Sequence, residues 1–217
     1  MGLLLLKNQY EGVMNMIAVI DYDAGNMASV VKALKFIGED PVITRDPEEI
    51  LKADKVILPG VGAYADAMEK LNSYGLVDVI KEYVASGKPF FGICLGLQLL
   101  FDESEEGGEH VKGLGILPGR VKLFSKTEGL KIPHMGWNSL EIKPDRRLFK
   151  GIKNGEYVYF VHSYYLQAEN EEDVAASSEY GVTFHAAVES GNVFACQFHP
   201  EKSGDAGLVI LKNFVEL

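Results

Sequence analysis

Short apolar runs alternate with stretches of helical periodicity along the first half of the chain. Four of these runs predict buried strands, at 17–20, 42–44, 56–58 and 89–93. Helices are predicted between them, from Gly25 to Gly38, from Asp46, over 67–71 and over 76–84. Because the strands are apolar throughout and do not alternate with polar residues, they predict a parallel sheet covered on both faces.

The second half of the chain, after Gly107 and Gly108, has a different pattern. Short strand-like runs follow at 121–124, 157–162, 165–168, 174–178, 184–188 and 193–198, and a last helix is predicted over 204–215. Their spacing indicates hairpins. The sequence therefore predicts an α/β fold with a mostly parallel central sheet flanked by helices, flavodoxin-like, and an additional antiparallel sheet in the C-terminal half.

The N-terminal residues differ from this pattern. Their apolar run, Leu3 to Leu6, is too short for a signal sequence or a membrane span. The first strong element begins at Met16, so residues 1–15 are expected to be an extension outside the fold. No repeat or low-complexity linker divides the rest, which predicts one domain over 16–217.

Composition limits the possible functions. A formal net charge of −10 over 217 residues argues against a general binder of nucleic acid or anionic membranes. The two cysteines, Cys94 and Cys196, give neither a metal-binding spacing nor a disulfide framework, which favours a reducing, cytoplasmic setting and no metal site.

The most informative segment joins the strand at 89–93 to a helix through Gly92-Ile93-Cys94-Leu95-Gly96. This is the form of a nucleophile elbow with cysteine in place of serine. The glycines remove side chains that would collide in a sharp turn, and the start of the helix favours a thiolate. The alternative is a buried structural cysteine, so the interpretation depends on a partner base.

His199 is the best candidate for that base. It ends the apolar run 194–198, and Glu201 lies two residues on, where extended geometry places both side chains on one side. Glu201 can then orient the imidazole. The alternative is a strand-end histidine with a solvated glutamate, and four other histidines remain: His134 and His162 in dense surroundings, His110 in a polar loop, and His185 in a strand.

Acyl transfer also needs donors for a developing oxyanion, each worth about 3 kcal/mol. The N–H of Leu95 is one candidate, and Gly60 or Val61 in the loop after the strand at 56–58 offers another. This loop lacks the lysine of a phosphate-binding loop, and its alternative interpretation is an ordinary turn.

Three segments together resemble the class I (triad) glutamine amidotransferases: Pro59-Gly60-Val61-Gly62, Gly92-Ile93-Cys94-Leu95-Gly96-Leu97-Gln98 and His199-Pro200-Glu201-Lys202-Ser203. Three more resemble the glutaminase subunits of imidazole glycerol phosphate synthase: Asp23-Ala24-Gly25-Asn26, Pro133-His134-Met135-Gly136-Trp137-Asn138 and Tyr159-Phe160-Val161-His162-Ser163-Tyr164. The resemblance covers the chain from about Met16 to its C-terminus.

The resemblance implies a glutaminase that releases glutamate and ammonia without a cofactor. It implies a Cys94-His199-Glu201 triad and an oxyanion hole from Gly60, Val61 and Leu95. It also implies glutamine binding by Gly62, Gln98, Ser163 and Tyr164. The alternatives are a solvated helix residue for Gln98 and sheet packing for Ser163 and Tyr164.

The resemblance further implies a partner, a separate (β/α)8-barrel cyclase that receives the ammonia for histidine biosynthesis. The heterodimer as a whole would be a lyase. The residues that resemble interface or gate positions are Asn26, Trp137, Tyr159 and Lys202, and a core position for Trp137 is equally compatible with the sequence.

Two other functions compete with this one. A triad amidotransferase of anthranilate, purine or pyridoxal phosphate synthesis is disfavoured by the Trp137 segment and the short loop at Pro59. A non-catalytic subunit with a relic site would be expected to lose Cys94, His199 or Glu201, and all three are present.

Overall fold

The computed structural model describes residues 15–23, 25–108, 110–125 and 129–217. Its first half alternates strands with helices: β1 (Ile17–Ile20), α1 (Met27–Phe36), β2 (Val42–Thr44), α2 (Pro47–Lys52), β3 (Lys55–Gly60), α3 (Tyr64–Ser73), α4 (Leu76–Ala85), β4 (Phe90–Cys94) and α5 (Leu95–Leu99). The start of α2 has the N-cap that the sequence predicts, because the Asp46 carboxylate accepts hydrogen bonds from the N–H groups of Glu48 and Glu49.

The second half is mainly strands, as its pattern predicts. They are β5 (Glu103–Ser104), β6 (Val111–Lys112), β7 (Gly119–Leu123), β8 (His134–Ser139), β9 (Glu141–Ile142), β10 (Tyr157–His162), β11 (Tyr164–Ala168), β12 (Val174–Glu179), β13 (Thr183–Ser190) and β14 (Val193–Cys196), before α6 (Gly204–Val215). In the described ranges of this half, three short 3₁₀ turns lie between these elements: Arg147–Phe149, Glu171–Asp173 and Pro200–Lys202.

Five parallel strands form the centre of the main sheet, in the order β2-β1-β3-β4-β14. This is the flavodoxin-like order, which confirms the predicted fold class. The sheet continues through the antiparallel strands β13, β11 and β7. Strands β8 and β10 form a separate antiparallel pair.

The core lies on both faces of the parallel strands, as their apolar runs predict. One cluster packs helices α2, α3 and α4 through Ile50, Leu71 and Ile80. The other packs α1 and α6 and includes Leu34 and Phe214. Because both faces are covered by helices, the carboxyl ends of the strands are left to form a site.

Two parts of the sequence analysis need comment. The predicted extension, residues 1–15, falls outside the described residues except for Asn15. The sequence analysis predicts no strand around Trp137, whereas the structure places Trp137 within strand β8. Gly136 and Asn138 flank Trp137, and both residue types are uncommon in strands, so the sequence pattern does not predict this strand. The strand forms because every one of its residues pairs with β10.

Candidate active site

Three neighbouring parallel strands end at the site and bring together segments that are distant in sequence. Gly60 at the end of β3 is paired with Cys94 at the end of β4. Cys196 at the end of β14 is paired with Ile93, so the chain after β14 carries His199 to the same edge. The topology therefore joins the oxyanion loop, the elbow and the candidate base.

Cys94 sits in a strained turn between β4 and α5, with φ 56° and ψ −109°. Backbone conformations of this kind cost about 1–3 kcal/mol and need close support from their surroundings. A methyl group on Gly92 would lie 2.6 Å from the Gly96 carbonyl oxygen, and one on Gly96 would overlap the carbonyl oxygen of Leu58. The elbow thus requires both glycines for close packing.

His199 and Glu201 form a buried pair. His199 Nδ1 lies 2.8 Å from Oε1 of Glu201, and the two side chains are 1% and 0% exposed. The amide of Asn26 donates to the same carboxylate oxygen at 2.6 Å. Within the described part of the chain, His199 Nε2 makes no hydrogen bond, so this nitrogen is available to a thiol or a substrate.

The electrostatics of this pair favour the imidazolium. Burial acts to lower the pKa of His199, but the interactions with Cys94 and Glu201 outweigh it and raise the pKa to about 9. His199 therefore holds a proton at neutral pH, which it can give to a leaving group.

A cavity of about 310 Å³ opens above these residues. Of the residues predicted from the sequence, it is lined by Val61, Gly62, Cys94, Leu95, Gln98, Ser163, Tyr164 and His199. Gly60 packs beneath it, where a side chain would overlap the buried hydroxyl of Tyr22. Gln98 is buried rather than solvated, which removes the alternative for that residue.

Pro133, Val161 and His162 line the cavity as well, and two further polar residues here were missed by sequence reasoning. Gln197 is fully buried, and its amide donates to the sulfur of Cys94 at 3.7 Å. Gln197 is the polar residue in the otherwise apolar run 194–198, and this exception could have indicated a role at the site. Glu106 lines the cavity as a half-buried carboxylate and accepts a hydrogen bond from the Tyr64 N–H at 3.0 Å. Its place in a polar loop gave no such signal.

The four predicted interface residues do not lie inside the cavity. Trp137 is 55% exposed on the two-stranded sheet, which excludes the core alternative, and its ring meets that of Tyr159 edge to face at 6.1 Å. Lys202 is exposed beside Glu201. Asn26 reaches inward instead, since it holds the Glu201 carboxylate.

Among the described residues the other histidines make no hydrogen bond to Cys94, although His162 lines the same cavity. His134 and His162 bond to each other at 2.9 Å. His110 pairs with Glu103 at the surface, and His185 lies 3.3 Å from Glu171. Among the described residues, no group of three His, Cys, Asp or Glu side chains could hold a metal ion, and no helix there is long and apolar enough to cross a membrane.

Comparison with known proteins gives the family of this site. The sequence profile of the family "Glutamine amidotransferase class-I" matches residues 18–217. The chain is 54% identical over 202 residues to the imidazole glycerol phosphate synthase subunit HisH of Caldanaerobacter subterraneus subsp. tengcongensis, covering 93% of this chain and 98% of the relative. It is 55% identical over 206 residues to HisH of Methanosarcina acetivorans, covering 94% and 100%.

The chain belongs to the class-I glutamine amidotransferases, among the HisH subunits. The resemblance predicted from the sequence is thereby confirmed.

Solved structures of amidotransferases share the fold. One described as a glutamine amidotransferase superimposes with a TM-score of 0.72 at 24% identity, covering 93% of this chain and 97% of that one. The PurLQS structure from Thermotoga maritima gives a TM-score of 0.70 at 22% identity, covering 94% and 98%. At these identities the likeness concerns the amidotransferase fold alone.

Proposed function

We propose that this chain is the glutaminase subunit of imidazole glycerol phosphate synthase, with Cys94, His199 and Glu201 as its catalytic triad. One observation carries the proposal: the elbow cysteine and the buried His199–Glu201 pair meet at a single cavity that is lined by Gln98. The identity of about 50% to HisH subunits over nearly the whole chain selects this synthase among the amidotransferases.

The chemistry follows from the arrangement. The Cys94 sulfur attacks the side-chain carbonyl carbon of glutamine, and the charge on the carbonyl oxygen is stabilised by N–H groups of Leu95 and of the Gly60–Val61 segment. His199 gives its Nε2 proton to the leaving nitrogen, so ammonia departs and a γ-glutamyl thioester remains. Water, deprotonated by His199, then releases glutamate and restores the thiol.

The amino-acid end of glutamine would lie at the opposite wall of the cavity. Gly62, Ser163 and Tyr164 line the cavity, and the resemblance implies that they bind this end of glutamine largely through the main chain. Glu106 supplies the negative charge that an α-ammonium group requires. Burial raises the pKa of this carboxyl group, and a bound ammonium would offset that desolvation.

The ammonia needs an acceptor close by, since water would otherwise protonate and dilute it. We propose that the acceptor is a (β/α)8-barrel cyclase that docks on the side of Trp137, Tyr159 and Lys202. The exposed aromatic pair suits a binding hot spot. Asn26 would connect this face to Glu201, because its amide bonds that carboxylate directly.

We also propose that residues 16–217 form one amidotransferase domain, because the family match spans residues 18–217. We propose a cytoplasmic location as well, because the two cysteines form no disulfide framework.

The decisive experiment replaces Cys94 by alanine in the reconstituted complex with the cyclase. Glutamine-dependent product formation should be lost, while formation from added ammonium salts should continue, because the cyclase site is untouched. Cys196→Ala is the matched control, since Cys196 is the second buried cysteine and lies in β14. It should retain both activities.

Loss of ammonia-dependent turnover in Cys94→Ala would contradict the proposal and make Cys94 a structural residue. Unchanged glutamine-dependent turnover would contradict it as well. Strong glutamine hydrolysis by the isolated chain would argue against control by a cyclase.

A further inference from the structure

Two buried histidines lie beneath the two-stranded sheet and have no role in the chemistry proposed above. His134 on β8 and His162 on β10 are directly opposite each other in the register. They are 4% and 6% exposed, and Nδ1 of His134 lies 2.9 Å from Nε2 of His162. One of these nitrogens must donate and the other accept, so the proton positions can be worked out from their neighbours.

The outer end of the pair is fixed by Asn138. Its Oδ1 accepts the Ser139 N–H at 2.9 Å, and its Nδ2 donates to the Glu179 carbonyl at 2.8 Å. These two backbone partners determine which side-chain atom is nitrogen. The same Nδ2 lies 3.4 Å from Nε2 of His134, so that ring nitrogen faces a donor and carries no proton.

At the His162 end of the pair, the hydrogen bonds must run in the same direction, away from Asn138. Nδ1 of His162 lies 2.8 Å from the Tyr164 carbonyl oxygen, which only accepts, so this nitrogen carries a proton. His134 must then hold its proton on Nδ1 and donate it to the unprotonated Nε2 of His162. Both imidazoles are therefore neutral Nδ1–H forms, and every donor points from Asn138 toward Tyr164.

The surroundings keep the pair uncharged. The His134 ring stacks on Tyr180 at 4.0 Å and on Phe160 at 5.0 Å. Burial lowers the pKa of His134 to about 4. Burial, opposed by the bond to the Tyr164 carbonyl, lowers the pKa of His162 to about 3. A proton added to either ring would break one bond of the chain.

The chain of hydrogen bonds ends at the glutamine cavity. The Tyr164 carbonyl also accepts from Nε2 of Gln98 at 3.1 Å, and that amide nitrogen donates its other hydrogen to Oε1 of Gln197 at 2.9 Å. Both hydrogens of Gln98 are thus committed, which leaves its Oε1 for a substrate. The orientation of Gln98 depends on where His162 holds the Tyr164 carbonyl.

We infer that His134 and His162 are positioning residues for glutamine: a neutral, one-way chain of hydrogen bonds that fixes the Tyr164 carbonyl and, through it, the Gln98 amide. The inference rests on the proposed glutaminase function. It adds two residues that act through Tyr164 and Gln98, although His162 itself also lines the cavity, and it ties the cavity to strand β8, which carries Trp137.

The proton positions are tested directly by ¹⁵N NMR of histidine-labelled wild-type chain, with assignments from single variants. Both His134 and His162 should give the neutral Nδ1–H pattern at neutral and mildly acidic pH, the opposite of the form that free histidine favours. An Nε2–H pattern or an imidazolium signal from either residue would overturn the inference.

The role in binding is tested by paired substitutions of His162 in the complex with the cyclase. Asparagine keeps a donor near the Nδ1 position, whereas glutamine places its amide near Nε2. His162→Gln should raise the KM for glutamine about tenfold, the value of one hydrogen bond, with little change in kcat. His162→Asn keeps the donor to the Tyr164 carbonyl but loses the acceptor for His134, so it should raise KM clearly less than His162→Gln. His110→Gln, at the exposed histidine, should change nothing.

Equal KM values in the two His162 variants would overturn the positioning role. The NMR measurement uses the wild-type chain, so it decides even if a variant fails to fold. If the wild-type complex hydrolyses no glutamine, the proposed function fails and the binding role with it. If it does hydrolyse glutamine and the proton positions differ from those expected, only this inference fails.

Discussion

The carboxyl edge of the parallel sheet and the two-stranded β8–β10 sheet are built on opposite principles. At the edge, Cys94 and His199 are buried at or just beyond the ends of β4 and β14, strands that are paired on both sides. The two-stranded sheet buries His134 and His162 on one face and exposes Met135, Trp137 and Tyr157 on the other. A sheet of two strands is marginal by itself and depends on packing against its faces.

This difference separates two tasks. The parallel sheet can hold a strained nucleophile, because its neighbours cannot move without breaking the core. The small sheet has one face free for the docking proposed above, and its buried face contacts the glutamine cavity through Tyr164. Under the proposed function, the reacting residues and the docking face therefore lie on two elements that differ in how much of their surface is packed.

The largest effect is expected at the edge, from Glu201→Gln. The variant loses the carboxylate that orients His199, and kcat for glutamine should fall about 10²–10⁴-fold with the fold intact. Since Glu201 helps to raise the pKa of His199, the alkaline limb of the pH–rate profile should move to lower pH. Steady-state kinetics of the complex measure both changes.

Glu189→Gln is the control for this variant. Glu189 is also a buried carboxylate, but it pairs with Arg147 at 2.8 Å, away from the cavity. It should lose stability and keep turnover. Equal losses of kcat in the two variants would show that burial of charge, rather than orientation of His199, explains the effect.

The next largest effect is on folding, from Gly96→Ala. The added methyl group would overlap the backbone of β3 at Leu58, where nothing flexible can yield, so a loss of about 3 kcal/mol or more is expected. A methyl group on Gly136, in β8, would lie in open space. Gly136→Ala should therefore lose only the stability that a side chain costs at a φ of +140°, about 1–2 kcal/mol. Urea unfolding of both variants compares the two regions, and equal losses would contradict the account of the elbow.

The same contrast explains what could be predicted from sequence. The apolar strands, the capped helix at Asp46 and the glycine-bounded elbow carry local signals, and the fold class and family followed from them. Strand β8 carries no such signal, because its pairing with β10 joins residues about twenty positions apart or more.

The residues of the candidate site could be predicted from the sequence for a related reason. Cys94 ends β4 and His199 follows β14 closely, so topology dictates their proximity. Glu201 lies in the 3₁₀ turn after His199 rather than in the extended backbone that the sequence predicted, and the turn still brings its carboxylate to the imidazole. The role of Glu106 and the bond from Asn26 to Glu201 depend on loop conformation, which short polar segments do not specify. The direction of the histidine chain depends on the rotamer of Asn138, which no sequence pattern records.

The two regions should also lose stability at opposite ends of the pH scale. The pKa of His199 is raised to about 9, so its contribution is complete below pH 6.5 and is lost as pH rises through about 9. The pKa values of His134 and His162 are lowered to about 4 and 3, so stability is present above pH 6.5 and falls as the pH drops toward those values.

Urea unfolding from pH 4 to 10 measures this contrast, with each shift expected to contribute on the order of 2–3 kcal/mol. His199→Gln should flatten only the alkaline slope, and His134→Gln only part of the acidic slope. Because acidic residues also titrate below pH 5, the difference between variant and wild type is the informative quantity. A variant that flattened both slopes would contradict the separation of the two regions.

The smallest effect is expected from Trp137→Ala, which changes only the exposed face of the β8–β10 sheet. Trp137→Ala removes the larger ring of the Trp137–Tyr159 pair, so affinity for the cyclase should fall about 10–100-fold, as for a hot-spot residue. Because the side chain is mainly solvent-exposed in the free chain, the free energy of unfolding should change by less than about 0.5 kcal/mol.

Phe36→Ala is the matched control, since Phe36 is 77% exposed at the end of α1. Titration calorimetry with the cyclase should show no change for Phe36→Ala. An equal loss of affinity in both variants would place the docking surface elsewhere and leave the two-stranded sheet without its proposed partner.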